Sequence, residues 1–308
     1  MAKEKIVKFN NRSDRPDNIV LREHEIFSQC DRIQEELPNF MRGFFAYLKG
    51  NVLPMTRLAY LHDIRFFCHY LIDETGLTEA EKIKDIKLAE FNRIKAVDVN
   101  IYIDYCRSYR VENDDEIIIY ENTSKTLARK KSSVSVLFKQ LYRDELIDKN
   151  ITDGFDPIRV PKAGEREIKA LQDDEVMIML DAVTTGANLT PKELQYWEKT
   201  KKRDKAILIL FLTYGLRLFE LQLNVASFNF NRGEFKIYRK RDKEAIMPLN
   251  ESVTEVLLDY LENERADDEK IQEGHKDALF LSLQGRRMTE RAIRDLAKKY
   301  TSIGRATS

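Results

Sequence analysis

Between two halves with helical periodicity, residues 148–170 read DKNITDGFDPIRVPKAGEREIKA. Gly154, Pro157, Pro161 and Gly164 interrupt any regular hydrogen-bonded run there. Proline has no N–H to donate, and glycine weakens the interior of an element. No single helical bundle can be built through such a stretch, so the 308-residue chain is expected to fold as two domains. The reading places a flexible arm at 1–20, a helical domain at 21–150, a linker at 151–170 and a second domain at 171–308.

In the first half, Ile26, Cys30, Ile33, Phe40, Phe44 and Leu48 recur with helical spacing, and Pro38 is expected to break the run. The segment TRLAYLHDIRFFCHYLIDETG carries Tyr60, Ile64, Phe67 and Leu71 on one stripe, with Thr56 as expected N-cap and Gly76 as stop. Residues 97–110 suit helix or strand, and their neighbours favour helix. The acidic run 112–116 reads as a loop. A further helix is expected over 124–147 with Ser124 as cap.

The second half opens with a helix from Asp173 to Val183 and a loop over 184–193. A long helix ends near Gly215. Two β-like runs, 234–238 and 245–249, flank a charged turn at 239–244. Helices follow at 251–265 and 289–300, the latter capped by Thr289, with a buried run between them at 277–283.

Lys and Arg together number 52, as do Asp and Glu, so the net charge is zero and overall charge points to no polyanion. Local segregation is another matter. Over 124–143, Lys125, Arg129, Lys130, Lys131, Lys139 and Arg143 lie among Ser132, Ser133 and Ser135, with no acid between them. Short polar side chains let a helix approach a phosphate backbone. The same pattern also describes an ordinary solvated face. A second basic cluster holds Lys236, Arg239, Lys240, Arg241 and Lys243, and a basic turn can equally serve to protect a strand edge. Cys30, Cys68 and Cys106 are widely spaced, which reads as reduced thiols in a cytoplasmic protein rather than a disulfide or zinc framework. The first residues lack the apolar core of a secretion signal, and no apolar run approaches membrane-spanning length. No metal and no cofactor are expected.

Arg217 lies within FLTYGLRLFELQL, among Phe211, Leu212, Leu216, Leu218, Phe219, Leu221 and Leu223. Burying a guanidinium demands an anion. Glu220, three residues on, would satisfy it as a structural ion pair. Alternatively, Arg217 holds a phosphate and Glu220 orients it. The segment alone leaves both open.

The order of segments resembles the tyrosine recombinases, the phage-integrase or Xer-type family. TYGLRLFEL is similar to that family's T-G-L-R-x-S-E-L box, and KRDKEAIMPL to its hairpin pattern G-K-G-x-K-E-R-x-x-P-L. TRLAYLHDIRFFCHYL resembles T-x-x-x-Y-x-x-D-[LI]-R-x-F, and TLARKKSSVSVLFKQLYRDELIDKN resembles T-x-x-R-x-x-S-x-[LV]-x-x-F-[YK]-x-L. The resemblance covers roughly residues 40–300, and four motifs in the right order are hard to reach by chance.

The resemblance implies a mainly α chain of two domains. A helical, SAM-like core-binding domain precedes an α+β catalytic domain with a small antiparallel sheet. It implies a site-specific recombinase or integrase acting on double-stranded DNA. In this family a tyrosine attacks the phosphodiester and forms a 3′-phosphotyrosyl link. By position, Arg217 would stabilise charge on the phosphate, Lys240 would protonate the leaving 5′-oxygen, and Glu220 would support the arginine. Lys243 is the alternative hairpin lysine. Lys125, Arg129, Lys130, Lys131, Ser132, Arg239, Arg241 and Lys243 would contact DNA.

There are departures. Phe219 stands where the family usually has Ser, and Ala245 where it usually has Arg. Residues 1–308 contain no H-x-L-R-H box and no nucleophilic tyrosine beyond it. Tyr300 lies too early and reads as core. The expectation is therefore a partial catalytic domain that does not cleave DNA and self-associates weakly for want of the family's C-terminal helix. The alternatives are a non-catalytic DNA-binding regulator on the same fold and a helical protein-interaction scaffold.

Overall fold

The computed structural model describes residues 10–13, 15–112, 116–165, 170–239, 243–265 and 267–307. It divides into two compact units, Met1–Glu167 and Ile168–Ser308. The architecture is mostly helical with small antiparallel sheets, as expected. Among the described residues no helix is long and apolar enough to cross a membrane.

The first unit begins with α1 (Asp17–Glu36), so the expected arm is already helical at its last residues. Pro38 separates α1 from a single 3-10 turn, Asn39–Met41, and α2 (Arg42–Asn51). α3 (Pro54–Asp73) starts at Pro54, with Leu53 extended before it, rather than at a Thr56 cap. A proline at the first helical position loses no hydrogen bond, because that N–H would be unpaired anyway. Then come α4 (Leu88–Arg93) and α5 (Ala96–Tyr105). α6 (Ser124–Arg143) is capped by Thr123, whose hydroxyl accepts from the Thr126 amide, and not by Ser124.

Between α5 and α6 lies a hairpin that the sequence reading missed: β1 (Ser108–Glu112) pairs antiparallel with β2 (Ile117–Glu121). Residues 97–110 thus divide, the first part helix and the last part strand. Ile117, Ile118, Ile119 and Tyr120 are β-branched or aromatic, which suits a strand.

The core of this unit forms where α3 packs on α1 and α6, and α2 on α6. Phe67 is the aromatic hub, 4.8 Å from Tyr102, 6.3 Å from Phe91 and 6.4 Å from Phe138 between ring centroids. Each such buried side chain contributes about 1.5–3 kcal/mol of apolar transfer. Cys30, Cys68 and Cys106 are free and buried here. The expected linker is not loose at its start. Phe155 is buried, Asn100 donates to the Gly154 carbonyl at 3.1 Å, and its side-chain oxygen accepts from the Asp156 amide at 3.0 Å.

The second unit contains α7 (Asp173–Thr185), α8 (Pro191–Trp197) and α9 (Lys201–Tyr214). α8 begins inside the expected 184–193 loop. Its start is a reciprocal cap in which Thr190 and Glu193 each accept the other's amide. A three-stranded antiparallel sheet follows in the order β3 (Phe228–Asn229), β4 (Glu234–Arg239), β5 (Lys243–Pro248). Phe235 and Ile237 of β4 are buried while Lys236 is exposed, the alternation of a half-buried strand. α10 (Glu251–Asn263) and α11 (Glu290–Thr307) complete the unit, α11 packing on α7. Ala278–Leu281 form the expected buried run. Tyr300 is core, fully buried with its hydroxyl 3.3 Å from Asp204 Oδ2.

Candidate functional site

The end of α9 sets the geometry around Arg217. Gly215 closes the helix in the left-handed region, φ 57°, and its amide donates to the Phe211 carbonyl. The chain then extends through Arg217 into a 3-10 turn, Leu218–Leu221. Glu220 sits inside that turn with 2% of its side chain exposed. Its Oε2 accepts from the Arg217 amide at 2.8 Å, and its Oε1 from Arg217 Nη1 at 3.0 Å.

Arg217 itself is 64% exposed in its side chain, which corrects the expectation of a guanidinium sunk among apolar neighbours. The buried group is the carboxylate. Leu216, Leu221 and Leu223 point into the core, whereas Leu212 is exposed. One edge of the guanidinium is held by Glu220, and the rest has no second partner among the described residues. The arrangement is a fixed cation presented to solvent on a buried anionic root, with nitrogens left to receive an anion.

The turn that carries Arg217 also contacts β4. Tyr214 packs edge-on to Phe235 of β4 at 4.9 Å, and its hydroxyl accepts from the Asn250 amide at 3.1 Å. The arginine turn and the β4–β5 hairpin therefore share one core wall. Arg239 and Lys243 lie opposite each other as the last ladder pair before the turn of that hairpin, and both are exposed. Lys236 is committed to Glu244 at 2.8 Å, a hydrogen bond that raises the lysine pKa and lowers the carboxylate's. Lys240 and Arg241 lie outside the described residues, so the choice between Lys240 and Lys243 stays open.

In the first unit, the basic helix α6 sorts its cations by face. Lys125, Ser132, Lys139 and Arg143 are exposed, and Arg129 and Lys131 partly so. Arg129 is held by Asp63 of α3 and donates to the Ala59 carbonyl at 3.3 Å. Lys131 donates to the backbone carbonyls of Phe155 and Asp156.

Lys130 does not belong with the exposed set. Its side chain is 9% exposed, its ammonium lies 3.8 Å over the Phe66 ring, and Asp63 Oδ1 is 3.8 Å away. Burial lowers its pKa. The spacing already held the signal: Leu127, Lys130, Val134, Leu137 and Leu141 form one i, i+3, i+4 stripe, and the other four are core.

Sequence reasoning also missed Asp63. It is buried, accepts from Ser133 Oγ at 2.7 Å and fixes Arg129. Nearby on α3, Arg65 pairs with Glu36 at 3.1 Å, and exposed His62 lies 3.4 Å from Arg65. Among the described residues no group of three His, Cys, Asp or Glu side chains could hold a metal ion.

Residues 169–304 match the model of the phage integrase family. Tyrosine recombinase XerC of Natranaerobius thermophilus is 28% identical over 250 residues, 79% of this chain and 75% of that one. Tyrosine recombinase XerD of Staphylococcus epidermidis is 27% identical over 216 residues, 66% of this chain and 68% of that one. Other XerC relatives are matched over as little as 51% of their length. In fold, a lambda integrase dimer bound to a COC′ core site is similar, with a TM-score of 0.53 at 14% identity, covering 95% of this chain and 68% of that one.

Proposed function

We propose, on the match of residues 169–304 to the phage integrase family, that this chain is of the tyrosine recombinase type, that it binds double-stranded DNA with both units and that its second unit presents part of a recombinase active site. The observation that carries this reading is the Arg217–Glu220 pair: a solvent-facing guanidinium on a buried carboxylate, in the T-G-L-R-type turn. Arg217 receives a backbone phosphate, and Glu220 holds the arginine in the orientation that suits it. The hairpin supplies a second cation, Lys240 or Lys243, with Arg239 and Arg241 beside it. On the first unit, Lys125, Arg129 and Ser132 line the face of α6 that meets DNA, with Lys131 at its margin. Lys130 is withdrawn from that set by its burial.

Binding of this kind is electrostatic and weakens as salt rises. No nucleophile is assigned to any residue of 1–308, since Tyr300 is sealed in the core. The test is fluorescence anisotropy of a labelled duplex titrated with the chain over a series of salt concentrations. Duplex binding should weaken steeply with salt, and R217A should reduce both the affinity and the slope. Absence of binding at low salt, or an unchanged slope in a folded R217A, would overturn the reading.

A further inference from the structure

The β1–β2 hairpin is anchored at one end and bare at the other. At its base Tyr109 stacks between Tyr105 and Tyr120, at 5.7 and 5.2 Å, and lies 5.1 Å from Phe66. Beyond that base the side chains stand in solvent: Val111 is 39% exposed, Ile117 57%, and Ile119 68%. The sheet has two strands, so each also has an open edge among the described residues. An exposed edge with apolar side chains is a template for another strand, and monomeric proteins usually block it. Here the sequence of β1 leaves it open and sets a register.

We propose that β1 pairs antiparallel with β1 of a second copy of this chain, forming a four-stranded intermolecular sheet about a two-fold axis. With Val111 opposite Val111 of the second copy, Arg110 of each chain falls opposite Glu112 of the other. Arg110 and Glu112 are exposed and have no ion-pair partner among the described residues. The ladder register pairs Val111 with Ile118, Arg110 with Ile119 and Glu112 with Ile117. One face of the joined sheet therefore carries an unbroken apolar row, Ile118–Val111–Val111–Ile118. The other face carries two rows in which an arginine meets a glutamate, flanked by Ile119 and Ile117. Opposite charges directly across a ladder stabilise it, and like charges destabilise it.

The edge of β2 does not offer this. Its nearest charges are Glu116 and Glu121, so two β2 strands bring only acids together. The β1 contact is also isologous, so it closes at a dimer rather than growing into a filament. The surface is small, so the dimer is weak. The proposal does not rest on DNA binding.

Sedimentation equilibrium of the full chain without DNA, at concentrations up to about 1 mM, tests it. A monomer–dimer equilibrium is expected. R110E should weaken the dimer by about tenfold, because it turns two attractive pairs into two repulsive ones. E112R alone should do the same, and R110E/E112R should restore the dimer, since the pair is then merely reversed. A far-UV spectrum matching the unmodified chain shows that each variant is folded. A chain that stays monomeric throughout, a dimer indifferent to both single changes, a double variant as weak as the single ones, or open-ended oligomers would each overturn the proposal.

Discussion

Arg217 and Glu220 are joined by a 3.0 Å ion pair whose two ends sit in different media: 2% of the glutamate side chain is exposed and 64% of the arginine's. The carboxylate is thus the fixed partner and the guanidinium the presented one. The glutamate also receives the Arg217 amide at 2.8 Å, so it determines the backbone of the turn as well as the cation's aim.

E220A should cost the second unit about 1–3 kcal/mol, because the partly buried Arg217 amide loses its acceptor. It should also weaken duplex binding. E220Q keeps an acceptor oxygen and should recover most of the stability while recovering less of the affinity, since the amide holds the guanidinium less firmly. Chemical denaturation and duplex titration of both variants check this; equal losses of affinity and stability would assign Glu220 a purely structural role.

Lys130 should matter little for DNA and Lys125 should matter. K125E places an acid on the exposed face of α6 and should lower duplex affinity several-fold at low salt. K130M should leave affinity within about twofold, and because Asp63 keeps Arg129 and Ser133 as partners the change does not strand that buried carboxylate. The pH dependence carries a second signature. Burial lowers the folded pKa of Lys130 below its ordinary 10.5, so the unfolded chain binds the proton more readily in that interval. Its contribution to stability therefore rises with pH up to the ordinary lysine value, and K130M should remove that rise in a denaturation series.

Gly304 lets α11 lie close on α7: a Cβ there would be 2.5 Å from the Glu175 carbonyl oxygen. Alanine gains about 1 kcal/mol in helix propensity. Overlap with a backbone oxygen costs about 1–3 kcal/mol in such packed sites, and the helices must separate to relieve it. G304A should therefore lower the melting temperature by a few degrees. An unchanged or higher melting temperature would mean that α11 does not seat on α7 this way.

Y300F removes a buried hydroxyl that lies 3.3 Å from Asp204 and should cost about 1 kcal/mol. Duplex affinity should not change. A loss of binding at unchanged stability would contradict the assignment of Tyr300 to the core.

Much of this was legible in one dimension because the interactions responsible span a single turn. Pro38, Gly215 and the stripe Ile64, Phe67, Leu71 act within three or four residues of themselves, and each behaves as the spacing predicts. The pairing of Arg217 with Glu220 is of the same kind, three residues apart. Which member of that pair would be buried was not legible, because it depends on the wall that β4 and α11 build against the turn. Lys130 illustrates the same divide: its place on the core stripe could be counted, but its tolerance there comes from Phe66 and Asp63, more than sixty residues earlier in the chain. Burial of a charge is settled by whichever distant groups surround it, and only the tertiary fold brings those groups together.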